Sequence, residues 1–155
     1  MTGQSQNSDK PTIALAIGDP AGIGVELAAR LIADPEIRAA ANVIVVGDRR
    51  VLTQGHRQAG FAPDFDIAAT PAPGPRPILL DLGHLDPAAI KPGVAQAEGG
   101  AFALRNYQVA LELARDGKAD AVCFTPFNKA AMRMARPSYD DEIGFTCEIL
   151  GLPAN

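Results

Sequence analysis

Hydrophobic residues along this chain come in short unbroken runs separated by stretches of helical spacing. Thr12–Ile17 is an apolar run of strand length, closed by Gly18. From Ile23 the apolar positions Ile23, Leu27, Leu31 and Ile32 recur at helical spacing, which predicts a helix ending at Asp34-Pro35. Asn42–Asp48 ("NVIVVGD") shows no alternation, the pattern of a parallel strand buried on both faces. A short helix is predicted over about Arg50–Ala59, stopped by Gly60.

The second half repeats the theme after an interruption. Thr70–Pro77 carries four prolines in eight residues, so neither a helix nor a central strand can form there. Ile78–Gly83 returns to strand, and "KPGVAQAEGG" reads as loop. Ala101–Arg115 has helical periodicity stopped by Gly117. Asp120–Pro126 ("DAVCFTP") is predicted to be another buried strand. "NKAAMRMA" predicts a short helix, "RPSYDD" a loop, and "EIGFTCEILG" a last helix capped by Gly151. About four strands alternating with about five helices imply right-handed βαβ units and an α/β fold. A polar tail over residues 1–11 precedes one unit over 12–155, and no repeat is present.

Composition narrows the functional classes. Of 155 residues 47% are hydrophobic, enough for a core, while aromatics make up only 5% and Trp is absent. A net charge of −4 with scattered Lys and Arg argues against a nucleic-acid partner, which needs a basic face. No apolar run approaches the ~18–20 residues of a membrane span, and the N-terminus lacks a signal core, so a cytoplasmic protein is expected. Cys123 and Cys147 form neither a CxxC pair nor a zinc spacing, and Cys123 is expected to be a buried thiol.

Two strand-to-helix junctions carry the candidate chemistry, because open α/β sheets bind ligands beyond the carboxyl ends of their strands. "GDPAGIG" follows the first strand, and "TPFNK" follows "DAVCF". Gly18, Gly22 and Gly24 fit neither the dinucleotide fingerprint nor the P-loop spacing. Backbone N–H groups at the following helix starts favour an anion, and Asp19 opposes one. Asp19 can equally be a turn residue capping the first helix, and Lys129 a plain surface lysine. "YDDE" (Tyr139–Glu142) either caps a helix or binds a cation or hydroxyl. His56 and His84 are expected to be surface groups.

Together the motifs resemble the 4-hydroxythreonine-4-phosphate dehydrogenase (PdxA-like) family. "IALAIGDPAGIGVEL" matches the family's N-terminal signature. "VIVVGD", "KPGVAQAEGGAFAL" and "DGKADAVCFTPFNKAA" follow in the right order, so the likeness covers Thr12–Gly151. It implies an α/β/α sandwich of the isocitrate/isopropylmalate dehydrogenase-like type, of which this chain is about half. It also implies a homodimer that uses NAD and a histidine-held divalent metal. The reaction implied is oxidation of a hydroxy acid, with decarboxylation of the β-keto acid as a further step. Family metal histidines and most NAD contacts come from the later half, so no metal or cofactor residue is assigned here.

The resemblance places Asp19 and Lys129 in catalytic positions and Gly22, Gly24, Asn128, Glu142 and Ile143 around the substrate. Two departures stand out. The family's "GHTE" segment, whose His and Thr hold a phosphorylated substrate, aligns its His with Glu142 and its Thr with Ile143. A loop His after "TxP" is replaced by Asn128, while Lys129 is kept. A carboxylate beside a phosphate dianion is repulsive, so an unphosphorylated hydroxy or dihydroxy acid is expected. The terephthalate dihydrodiol branch of the family uses such substrates. The alternative expectation is a truncated or split fragment, a binding module or pseudoenzyme without catalysis of its own.

Overall fold

The computed structural model describes residues 10–153; the polar run expected to form the tail lies, up to residue 9, outside the described residues. Five strands form one all-parallel sheet: β1 (Thr12–Ala16), β2 (Asn42–Gly47), β3 (Asp66–Ile67), β4 (Ile78–Asp81) and β5 (Ala121–Phe124). Their spatial order is β3-β4-β2-β1-β5, with Leu15 opposite both Val45 and Cys123. The helices are α1 (Gly24–Ala33), α2 (Pro35–Ala40), α3 (Arg49–Ala59), α4 (Ala97–Arg115), α5 (Lys129–Ala135) and α6 (Glu142–Leu150). Among them, none is long and apolar enough to cross a membrane.

Alternation of side chains on β1 and β2 builds two cores. Leu15, Ile17, Val43 and Val45 pack against Val25, Ala28 and Ile32 of α1 and Val51 and Leu52 of α3. Ala14, Ala16, Ile44 and Val46 face α4, with Met132 of α5 and Phe145 of α6 completing that side. Helices thus cover both faces of a parallel sheet. β2, with every residue buried, is the interior strand that its unbroken apolar run predicts.

Glycines set two of the helix contacts. A Cβ on Gly55 would stand 2.3 Å from the Val25 carbonyl oxygen, so α3 can approach α1 only with glycine there. The tighter case is Gly100, where a Cβ would lie 1.9 Å from the Ala131 carbonyl oxygen of α5.

Several expectations need correction. β5 is the outer strand of the sheet, not a buried one, and Cys123 on it is exposed. Its apolar composition predicted burial, but nothing among the described residues pairs with its far side. His56 is buried at 1% exposure; its Nδ1 donates to the Leu52 carbonyl at 2.9 Å and its ring packs on Phe65. α3 is mostly polar, and that hid the face on which His56 sits. α4 begins at Ala97, because Gly99 and Gly100 serve packing rather than a loop. α2, capped by Asp34, and the two-residue β3 had no separate place in the sequence pattern.

Candidate functional site

The two junctions singled out in the sequence interlock at the carboxyl ends of β1 and β5. Thr125 Oγ1 accepts from the Gly18 N–H at 2.8 Å, and the Asp19 N–H donates to the Pro126 carbonyl at 2.9 Å. A Cβ on Gly18 would lie 2.3 Å from the carbonyl oxygens of both Thr125 and Pro126. One on Gly24 would reach Thr125 Oγ1 at 2.9 Å. These glycines let one loop lie against the other. Gly22 is different: it is exposed, and a Cβ there meets Asp19 only at an ordinary 3.7 Å.

Asp19 does not cap α1, whose first position follows Ile23 with no side-chain cap. Its Oδ1 accepts from the Ala21 N–H at 3.0 Å and its Oδ2 from Asn128 Nδ2 at 3.1 Å. Asn128 in turn caps α5, its Oδ1 accepting from the Ala131 N–H at 3.2 Å. The amide therefore clips the second loop to the first and fixes the start of α5 in one stroke.

Lys129, the first residue of α5, meets Glu142, the first residue of α6, at 3.0 Å. Asp141 caps α6 by accepting from the Gly144 N–H at 2.7 Å, which places Glu142 in the first turn, where a carboxylate is favoured. Burial works against ionisation of Glu142, but its own N–H, the Lys129 ammonium and the neighbouring Tyr139 hydroxyl hold its carboxyl below the usual range. Tyr139 lies beneath at 4% exposure, its hydroxyl beside Glu142 but outside hydrogen-bonding geometry. Burial first, and then the Glu142 charge, push that phenol well above its ordinary pKa. Ile143 points outward and is 74% exposed.

The structure thus brings Asp19, Asn128, Lys129 and Glu142 to one end of the sheet, with Gly24 in the wall and Gly22 and Ile143 at the surface. Thr125 is the residue that sequence reading missed; its place in "FTPFNK" was the available signal. A second polar centre, also missed, lies at the ends of β2 and β4. Asp48 there is wholly buried and accepts from the Leu85 N–H and from the backbone and guanidinium of Arg50. Burial alone would raise its pKa, yet these donors bring it down to about 2. The strand-end "VGD" was its signal.

Neither histidine joins these centres. His84 is exposed as a residue but stacks on Phe102 at 4.8 Å, and the burial of that face lowers its pKa. Among the described residues no group of three or more His, Cys, Asp or Glu side chains stands close enough to hold a metal ion.

A family model described as "Pyridoxal phosphate biosynthetic protein PdxA" matches residues 39–153. A protein of Rhizobium meliloti (strain 1021), named "Putative 4-hydroxythreonine-4-phosphate dehydrogenase 2", is 55% identical over 145 residues, 91% of this chain and 42% of that protein. The crystal structure of a 4-hydroxythreonine-4-phosphate dehydrogenase from Burkholderia phymatum superposes with a TM-score of 0.85 at 25% identity, over 95% of this chain and 46% of that one. A terephthalate 1,2-cis-dihydrodiol dehydrogenase from Burkholderia xenovorans LB400 gives a TM-score of 0.75 at 28% identity, over 93% and 42%. The chain spans less than half the length of each of these relatives.

Proposed function

The chain belongs to the PdxA family, and on that premise we propose that it supplies the substrate-holding part of an NAD-dependent dehydrogenase for an unphosphorylated hydroxy or dihydroxy acid. The observation that carries this reading is the Lys129–Glu142 pair at 3.0 Å. An ammonium already matched by a carboxylate presents no net charge to a ligand. A phosphate dianion arriving there would meet Glu142 as a like charge, with the Lys129 ammonium already engaged by that carboxylate. A hydroxyl is a better match, since the Glu142 carboxylate can accept its hydrogen bond while Lys129 turns toward the substrate carboxylate.

Asp19 and Asn128 act by positioning. Asn128 Nδ2 has a second hydrogen beyond the one given to Asp19, and that hydrogen is available to a substrate oxygen. Asp19 holds the amide in register while it also closes the turn through Ala21. NAD, when bound, would supply the hydride acceptor for the alcohol carbon. The sandwich type follows the same reading: an isocitrate/isopropylmalate dehydrogenase-like architecture, of which the described sheet is one part. Among the described residues none fit a divalent metal, so no step here runs through one.

The same residue complement favours a second reading, that this chain by itself binds without turning over. It has an anchoring constellation and, among the described residues, no metal-holding cluster. Two measurements test the pair. In NMR titrations an unphosphorylated hydroxy acid is expected to shift the amides of Asn128, Lys129 and Glu142, and its 4-phosphorylated counterpart to bind about tenfold more weakly. Glu142→Gln, which frees Lys129 from its partner, is expected to reverse that order; an unchanged order sinks the substrate reading. NADH formation by the purified chain with a divalent metal is expected to stay at background, and turnover would overturn the second reading.

A further inference from the structure

Acidic side chains open most of the helices: Glu26 in α1, Glu36 in α2, Glu98 in α4 and Glu142 in α6. That is the favourable sign, because a helix N-terminus carries partial positive charge. α3 has no acid in its first turn and opens on Arg49 and Arg50. Arg57 follows about two turns later on the same face. Guanidinium groups and helix dipole therefore add to one another here instead of cancelling. Departures of this kind from the local rule cluster where a chain binds something.

The basic face borders an open groove of about 400 Å³, with Asp86 and Pro87 as its far wall. Arg50 is set from behind. Its Nε and one terminal nitrogen donate to the two oxygens of the wholly buried Asp48 at 3.0 and 2.8 Å. A guanidinium carries five N–H groups, so the outer edge of this one keeps donors to offer. Anchored by a buried carboxylate, it is oriented before any ligand arrives. Arg57 is exposed and has no hydrogen bond or ion pair among the described residues. The other carboxylates nearby are engaged. Asp81 accepts from the N–H groups of Arg49 and Gly83 and stands 3.9 Å from the Arg49 guanidinium, and Asp86 accepts from the Ala88 N–H. Arg57 and the outer edge of Arg50 are thus left for a ligand, with the Thr53 hydroxyl between them.

Spacing selects the ligand. Arg50 and Arg57 are seven residues apart, about 10 Å along the helix axis, and their long side chains can close on a group lying between them. One phosphate reaches one of them, whereas two linked phosphoryl groups reach both. Phosphoryl oxygens also match the guanidinium fork, which a single point charge does not exploit. We propose that the α3 groove is a binding site for a diphosphate group, held by Arg50 at one end and Arg57 at the other, with Thr53 donating in the middle. The diphosphate is either free or part of a nucleotide. This site is separate from the Lys129–Glu142 pair: Gln54 and Pro87 border a small cleft on whose other side lies Pro20, the residue after Asp19. It does not depend on the substrate reading, which concerns α5 and α6.

The experiment titrates the nitrogen-15-labelled chain with inorganic pyrophosphate and with ADP in about 150 mM salt, where loose surface attraction is screened. Saturable shifts of the amides of residues 49–57 are expected, with those of Asn128, Lys129 and Glu142 unmoved. ADP binding as well as pyrophosphate, or better, identifies the nucleotide as the source; weaker ADP binding identifies the free diphosphate. Orthophosphate and succinate are expected to bind about tenfold more weakly or worse. Arg57→Gln has no internal contact to lose, so it is expected to weaken pyrophosphate binding about tenfold while the thermal melt stays unchanged. Arg115→Gln removes the same charge at the end of α4 and is expected to leave binding as it was. Shifts centred on Asn128 and Lys129 in place of α3 overturn the proposal. Succinate binding as tightly as pyrophosphate, or the two arginine variants acting equally, overturns it as well.

Discussion

At the scale of single residues, charge placement decides more than hydrophobicity. Asp48 is the clearest case, a carboxylate with no exposure held by the Leu85 N–H and by Arg50. Its pKa falls from 3.8 to about 2 on folding, so its contribution is fully present above pH 3.8 and is lost as pH falls toward 2. That difference corresponds to about 2 kcal/mol. In urea titrations the native chain is expected to lose stability over this window, and Asp48→Asn to start less stable and to change less across it. A steeper loss in the variant would show that Asp48 is not the group responsible. Residues of this kind were legible in part. "GDP" and "TPFNK" announced Asp19 and Asn128 as strand-end groups, but their contact spans 109 positions and no local pattern encodes it. Lys129 and Glu142 meet because the chain returns after α5 so that α6 starts beside the start of α5, both helices packing on α4, a path the loop "RPSYDD" permits but does not specify.

Elements were legible where one physical rule dominated. β2 and α3 were readable because an unbroken apolar run and a left-handed glycine cap leave little choice; Gly60 sits at φ 78° and ends α3 one residue after Ala59. α4 was misjudged at its start because Gly99 and Gly100 resemble loop residues in sequence, whereas Gly100 is demanded by the Ala131 carbonyl of α5. The two kinds of glycine make a direct comparison. Gly60→Ala meets no neighbouring atom and carries only the left-handed backbone penalty, about 1 kcal/mol. Gly100→Ala must push α5 away from α4 and is expected to cost roughly 2 kcal/mol or more. Thermal melts of the two variants check the order. Because α5 carries Lys129 and is capped by Asn128, Gly100→Ala is also expected to weaken hydroxy-acid binding, whereas Gly60→Ala leaves it unchanged.

For the whole molecule, the sequence pattern gave four of the five strands and their parallel direction, but neither the two-residue β3 nor which strands lie outermost. An apolar four-residue strand looks the same whether a neighbour covers it or not, and so Cys123 was expected inside and lies outside. The asymmetry has a measurable cost in solution. One edge of the sheet is guarded by Asp66, Arg76 and Asp64, while the other presents Ala121, Cys123 and Phe124 to water. Exposed apolar strand edges associate, and with no defined partner they do so without a fixed stoichiometry. Sedimentation velocity on the isolated chain is therefore expected to show weight-average mass rising steadily with concentration rather than a single dimer boundary. Ala121 is exposed, so Ala121→Lys places a charge on this edge without disturbing either core, and should return the chain to a monomer of 16.2 kDa. A lysine at Ile67, on the guarded edge and also exposed, should leave the association as it was. If both substitutions act equally, general surface charge rather than the bare β5 edge drives the association, and the special standing given to that edge falls with it.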